Sequence, residues 1–275
     1  KLTPSEAFHL ALEKGDPDTP GTYGYLLREA HPAIAAFGGI FLLLLFLDFV
    51  FEERELTWLT PIEKPLAAIG KLDQLSVVIA LVALVVSAYT LAPDDKVSTV
   101  MVSGVLGMVT YLLVNGLGEF FNVEAEEEAE EEAAQKKRNG TVVKAVGKAA
   151  FFLFLYLEVL DASFSFDGVV GAFAITSDPI IIAIGLGIGA MFIRSLTVFL
   201  VRKGTLAEYV YLEHGALWAI GALAVVLLIT IEYEVPEVVT GLIGVGFIAA
   251  AFISSVVRNR RTGHTEHIEL ESAAV

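Results

Sequence analysis

Seven stretches of this chain are apolar almost without interruption: Pro32–Phe51, Leu75–Leu91, Thr99–Leu117, Ala149–Thr176, Ile180–Val201, Gly215–Ile231 and Val238–Val257. A helix needs roughly 20 such residues to cross the hydrocarbon of a bilayer, so each stretch predicts a membrane-spanning helix. The second is near the short limit. The fourth is long for one crossing, which predicts tilt or a break near Gly168. Together they predict an all-α polytopic membrane protein.

Charge fixes the expected orientation. With Arg258, Arg260 and Arg261 in the cytoplasm, counting back through the spans puts Arg54, Lys64, Lys71, Lys136, Lys137, Arg138, Lys144, Lys148, Arg202 and Lys203 there as well. Lys1, Lys14, Arg28 and Lys96 fall outside, and only Arg194 lies within a span. Thirteen basic residues against four is the bias that a cytoplasmic side carries. The domains expected from this reading are residues 1–117 with three spans, an acidic then basic cytoplasmic linker at 118–148, a second half at 149–257 with four spans, and a cytoplasmic tail at 258–275. Glu124–Glu132 followed by Lys136–Arg138 reads as a loop helix or a disordered tract. The tail reads as a floppy, solubilising segment.

Composition narrows the class further. Hydrophobic residues make up 55% and charged residues 19% of the 275, too apolar for an ordinary soluble domain. The net charge of −15 argues against a nucleic-acid partner. Cysteine is absent, which removes disulfides and thiolate metal ligands. The partners expected are the lipid bilayer and a divalent cation, with a homo-oligomer compatible; the location expected is the cell membrane, crossed several times.

The chemistry concentrates in Phe151–Phe173, FFLFLYLEVLDASFSFDGVVGAF, an apolar run holding Glu158, Asp161 and Asp167. A carboxylate facing lipid near midplane costs roughly 2.5–3.5 kcal/mol, so three of them predict a polar chamber. On an unbroken helix Asp161 lies about 60° from Glu158, while Asp167 points about 180° away. An irregular backbone near Phe166–Gly168 would bring all three to one cavity and free backbone carbonyls as further ligands. Oxygen donors of this kind suit Mn²⁺, Mg²⁺ or Ca²⁺, and the same acids can also carry protons.

Other polar residues admit two readings each. Arg194 either locks two helices through Glu158 or Asp161, or serves as a counter-charge freed when a cation binds. Asp48 either lines an exit path or sits at the interface beside Glu52. Asn115 either bridges helices or offers its carbonyl to a cation. Asp178-Pro179 reads as an external turn and helix start. No histidine cluster or nucleophile–base pair lies in the spans, so an enzyme is not expected, and no tightly bound cofactor is implied.

A short internal likeness adds an architectural expectation. Glu29-Ala-His31-Pro-Ala-Ile-Ala-Ala-Phe-Gly38 enters the first span, and Leu212-Glu-His214-Gly-Ala-Leu-Trp-Ala-Ile-Gly221 enters the sixth. In each, Gly follows His by seven positions, and both spans leave into acidic residues (Glu52-Glu53 and Glu232-Tyr-Glu234). The charge count runs the two copies in opposite directions, as an inverted transporter repeat requires. In the later copy two helices precede the motif; the earlier copy has no such pair here. The chain therefore reads as part of an inverted-repeat bundle whose first acidic helix lies outside this sequence.

Tyr156-Leu-Glu158-Val-Leu-Asp161-Ala-Ser-Phe-Ser-Phe-Asp167-Gly168, the following helix with Arg194, and Glu213-His214 before the sixth span resemble the TerC family of integral membrane proteins. His31-Pro32-Ala through Phe37-Gly38-Gly39, with Leu47-Asp48-Phe49, resemble most closely its DUF475 branch. The resemblance covers essentially the whole chain. It implies a divalent-cation exporter, manganese the favoured substrate, with Glu158, Asp161 and Asp167 as metal ligands. It also implies a second acidic helix, which this chain lacks, and a link to tellurite or metal stress. The alternative is a membrane scaffold or a component of a metal or tellurite stress complex that transports nothing.

Overall fold

The computed structural model describes residues 6, 9–10, 19–54, 56–70, 72, 74–136, 151, 154, 179–203 and 209–273, with the backbone alone at 117–136, 179, 200–203, 237 and 262–273. Seven helices run through the described residues, which hold no strand: α1 (Tyr23–Phe51), α2 (Thr60–Ile69), α3 (Leu75–Thr90), α4 (Val97–Lys136), α5 (Pro179–Lys203), α6 (Leu212–Ile229) and α7 (Glu237–Ala273). Five contain stretches long and apolar enough to cross a membrane: Tyr23–Phe51, Val97–Gly116, Ile180–Phe199, Leu212–Ile229 and Val238–Arg261. The architecture is thus an all-helical membrane-type bundle.

α3 is apolar but has 16 residues, about 24 Å of helix, short of a full hydrocarbon crossing. The expected fourth span, residues 149–176, lies outside the described residues apart from isolated positions. α5 begins at Pro179, as Asp178-Pro179 predicts, because proline's missing N–H and fixed φ suit a first helical position.

Three boundaries depart from expectation. α1 begins at Tyr23 rather than Pro32, with the Thr22 hydroxyl accepting from the Tyr25 N–H at 3.3 Å. Pro32 lies inside the helix and removes one ladder hydrogen bond, a cost that the packing of α1 against its neighbours offsets. α4 continues as helix through the acidic run to Lys136, where glutamate and alanine favour helix strongly. α7 continues to Ala273, so the tail expected to be floppy is helical through most of its length.

α1 is the centre of the bundle. α3 and α4 pack on one side of it, α6 on another, and α2 on its C-terminal end; α7 packs on α6. Ala35, Ala36, Ile40, Leu42 and Leu44 are sealed from solvent, and Leu84, Val100 and Ala224 from the neighbouring helices close around them. A helix apolar around its whole circumference suits such a position. Gly107 on α4 lies against the Phe37 carbonyl, where any side chain would collide with backbone.

Pairings along the helices set directions. Gly39 faces Leu228, Phe46 faces Gly221 and packs on Trp218, and Phe49 packs on His214, so α1 and α6 are antiparallel. Phe37 meets Gly107, and Phe41 and Asp48 meet Tyr111, so α1 and α4 run parallel. Trp218 stacks on Phe247, and the Tyr211 N–H reaches the Ser255 hydroxyl at 3.0 Å, so α6 and α7 are antiparallel.

Candidate functional site

The polar residues of the described bundle gather where α1 ends. Its apolar sequence stops at Phe51 because Glu52, Glu53 and Arg54 follow, and the Glu52 N–H closes the last turn onto the Asp48 carbonyl at 3.1 Å. Arg54 then folds back over the Phe49 ring, its guanidinium carbon 4.4 Å from the ring centre. Its Nε and Nη2 donate to Glu52 Oε2 at 3.1 and 2.6 Å, and its Nη1 donates to Glu213 Oε1 at 2.8 Å. One guanidinium therefore joins the end of α1 to the start of α6. Burial alone would loosen its proton, but the hydrogen bonds to Glu213 and Glu52 outweigh that and hold it above the ordinary arginine range.

Behind this bridge lies a buried carboxylate. α2 opens with Thr60-Pro61, and Glu63, in its first turn, is only 6% exposed. The Trp58 N–H, the Leu59 N–H and the Trp218 indole N–H donate to it at 2.9, 3.2 and 3.0 Å. Charge-assisted bonds of this number are what a buried carboxylate needs. His214, 4% exposed, donates from Nε2 to the Leu56 carbonyl at 2.9 Å; a carbonyl can only accept, so Nε2 carries the hydrogen. The same Nε2 lies 3.9 Å from Glu63 Oε2, and the ring packs edge-on against Phe49 and Tyr211.

These groups border a cleft of about 390 Å³, lined among others by Glu52, Glu53, Arg54, Glu63, Lys64 and His214. Its chemistry is that of a clasp. Glu52 and Glu213 are engaged by Arg54, and Glu63 by three N–H donors. Among the described residues no three His, Asp or Glu side chains converge as metal ligands. A cation entering here would have to displace Arg54 from its carboxylates.

Residues 1–262 match the family DUF475, described as proteins of unknown function. The chain belongs to the DUF475 family. No curated protein and no solved structure matches it.

The residues singled out from the sequence of this DUF475 member fall in different places. Glu158, Asp161 and Asp167 lie outside the described residues. Arg194 is exposed on α5, and the carboxylates expected to pair with it are among those three. Asp48 accepts a hydrogen bond from the Tyr111 hydroxyl, which ties α1 to α4. Tyr111 is buried and stands edge-on to Phe41 with ring centres 5.6 Å apart, while Asp48 itself is exposed. Asn115 sits one helical turn beyond Tyr111 and is exposed. The structure therefore joins Asp48 to a partner that the sequence did not indicate.

At the opposite end of the α1–α6 pair the chemistry differs. The Lys96 ammonium donates to the Glu29 carbonyl at 2.9 Å. His31 is exposed, whereas His214 is buried. The two halves of the sequence likeness thus occupy unlike environments.

Glu63 is the residue that sequence reading missed. Its signal was local: a proline-led helix start with an acid in the first turn, which can reach back to the N–H groups before the helix. Its contact with Trp218 spans 155 positions and had no local signal.

Proposed function

We propose that the chain is a transporter that exports a divalent metal cation, manganese first among candidates, through a site made by Glu158, Asp161 and Asp167. The observation that carries this reading is the sequence of residues 151–173, where three carboxylates interrupt an otherwise span-length apolar run. Carboxylates in hydrocarbon are stable only around water, protons or a cation. Hard oxygen donors then favour Mn²⁺ or its neighbours over softer metals.

The antiparallel packing of α1 and α6 supports the inverted-repeat part of the reading. Gly38 and Gly221, each seven positions after its motif histidine, both lie in the contact between them. Alternating access would then be a rocking of one half against the other around the acidic site. Clustered carboxylates would raise one another's proton affinity, so one of them would exchange a proton for the cation. The likeness of the acidic motif to the TerC family favours manganese over magnesium and calcium. This proposal includes no catalytic residue and no resident cofactor; the cation is the substrate.

Full-length protein in proteoliposomes should carry Mn²⁺ across the membrane. Asp161→Asn and Asp167→Asn should abolish that flux while leaving the helical content and the thermal transition unchanged. Undiminished flux in both variants overturns the proposal. Absence of flux in the unaltered protein, together with stability that ignores Mn²⁺, favours the scaffold reading.

A further inference from the structure

We infer that α2 does not cross the bilayer but lies along its surface, at the boundary between headgroups and acyl chains. The partner of its exposed face is the lipid surface. Ten residues make about 15 Å of helix, half of what a crossing needs. α1 leaves the apolar layer at Phe51 and α3 enters at Leu75, so α2 sits in a connection tethered at both ends to apolar helices.

The helix has three faces, each with a different chemistry. Glu63 and Ala67 turn inward, where Glu63 is bonded to the α1–α2 connection and to Trp218 of α6. Ile62 and Ile69 share a second face and are 45% and 52% exposed. Leu56 before the helix and Leu72 after it are exposed as well. Lys64 is exposed about 160° around the helix from Ile62, and Lys71 follows in the sequence. One apolar stripe, one basic edge and one docked face are what an interfacial helix requires.

Two observations identify the occupant. The apolar stripe leads into exposed Val78, Leu81, Val82, Val85 and Val86 on α3, spaced as one helical face, so the same lipid layer would cover both. Lys64 borders the cleft that Glu52 and Glu53 also line, and anionic headgroups would compete with those acids for it, a lysine extending toward them while its stem stays in the apolar layer. Because Glu63 binds α2 to Trp218, a displacement of α2 by lipid reaches α6 directly. The inference rests on the membrane reading of the fold and is independent of any transported cation.

The chain has no cysteine, so single cysteines report without a background. Ile62→Cys, Ile69→Cys and Lys64→Cys variants of the full chain would each carry a nitroxide label. The vesicles would be phosphatidylcholine, with or without phosphatidylglycerol. Labels at 62 and 69 should favour oxygen over a water-soluble nickel chelate severalfold more than the label at 64. Phosphatidylglycerol should widen that difference, and Lys64→Gln with Lys71→Gln should cancel the widening. Labels at 62 and 69 reached mainly by nickel would overturn the inference, as would dipolar broadening that shows a second copy on this face. A Glu63→Gln variant with the labels in place, in a Trp58→Phe background that leaves Trp218 as the one emitter, separates lost docking from lost folding: the labels should remain in lipid while the Trp218 fluorescence shifts.

Discussion

α1 and α5 are alike by composition and unlike in surroundings. The most apolar stretches have mean hydropathies of 2.5 and 2.0, yet 67% of the residues in the first are buried and only 6% in the second. α1 is enclosed by α3, α4 and α6, with Ala35, Ala36, Gly38 and Gly39 letting neighbours approach. α5 exposes Ile180, Ile181, Ile184, Ile188, Phe192 and Phe199. Hydropathy measures departure from water, and lipid and packed protein both satisfy it. Small residues do not mark the hub by themselves, since Gly185, Gly187 and Gly189 on α5 meet no described atom within 4 Å; a neighbouring helix seated on them, as on Gly38 and Gly39, does.

Substitutions can test that difference, the largest effect first. Gly107→Val on α4 would press a side chain onto the Phe37 carbonyl and should lower stability by about 1–3 kcal/mol. Gly187→Val on α5 meets open space and should stay within about 0.5 kcal/mol. Unfolding of the purified protein in detergent compares the two; equal losses would break the contrast.

Glu63→Ala comes next. It strands the Trp58, Leu59 and Trp218 N–H groups in a buried place, which should cost about 1–3 kcal/mol and shift tryptophan emission to the red. Tyr111→Phe removes only the hydroxyl that meets Asp48, so about 0.5–1.5 kcal/mol is expected in the same unfolding measurement.

Arg54→Gln should cost less than any of the other contact-breaking changes, at most about 1 kcal/mol, because Glu213 and Glu52 are largely exposed and salt screens the pair. The sign of its pH dependence follows from its raised proton affinity. Folding favours the protonated arginine, so its contribution is complete at neutral and moderately alkaline pH and is lost only as pH rises past the ordinary arginine range. The stability difference between the two proteins should therefore be flat from about pH 7 to pH 10. A difference that vanishes on the alkaline side of this range would show that the guanidinium is not held as described.

The helices were legible in the sequence wherever apolar residues continued long enough, and the start of α5 was legible where Pro179 marked it. The extension of α1 back to Tyr23 was not, because Pro32 imitates a boundary where the apolar run begins. The joining of Asp48 to Tyr111, of Arg54 to Glu213 and of Glu63 to Trp218 was equally hidden. Each depends on two helices meeting at one depth, across 63, 159 and 155 positions of chain. The acidic run at 151–173 is the reverse case, conspicuous in sequence because charge in an apolar stretch is costly wherever it lies.

By itself the sequence determined that this chain is helical and membrane-type, and where its costliest charges fall. Both follow from local terms: the transfer of side chains from water and the hydrogen bonding of a backbone in an apolar layer. Only the tertiary structure decided that α1 is the hub, that α6 runs against it, and that two similar histidine motifs end in unlike places. Those outcomes depend on which surfaces fit closely enough to exclude lipid, and fit is a property of pairs of helices rather than of either one.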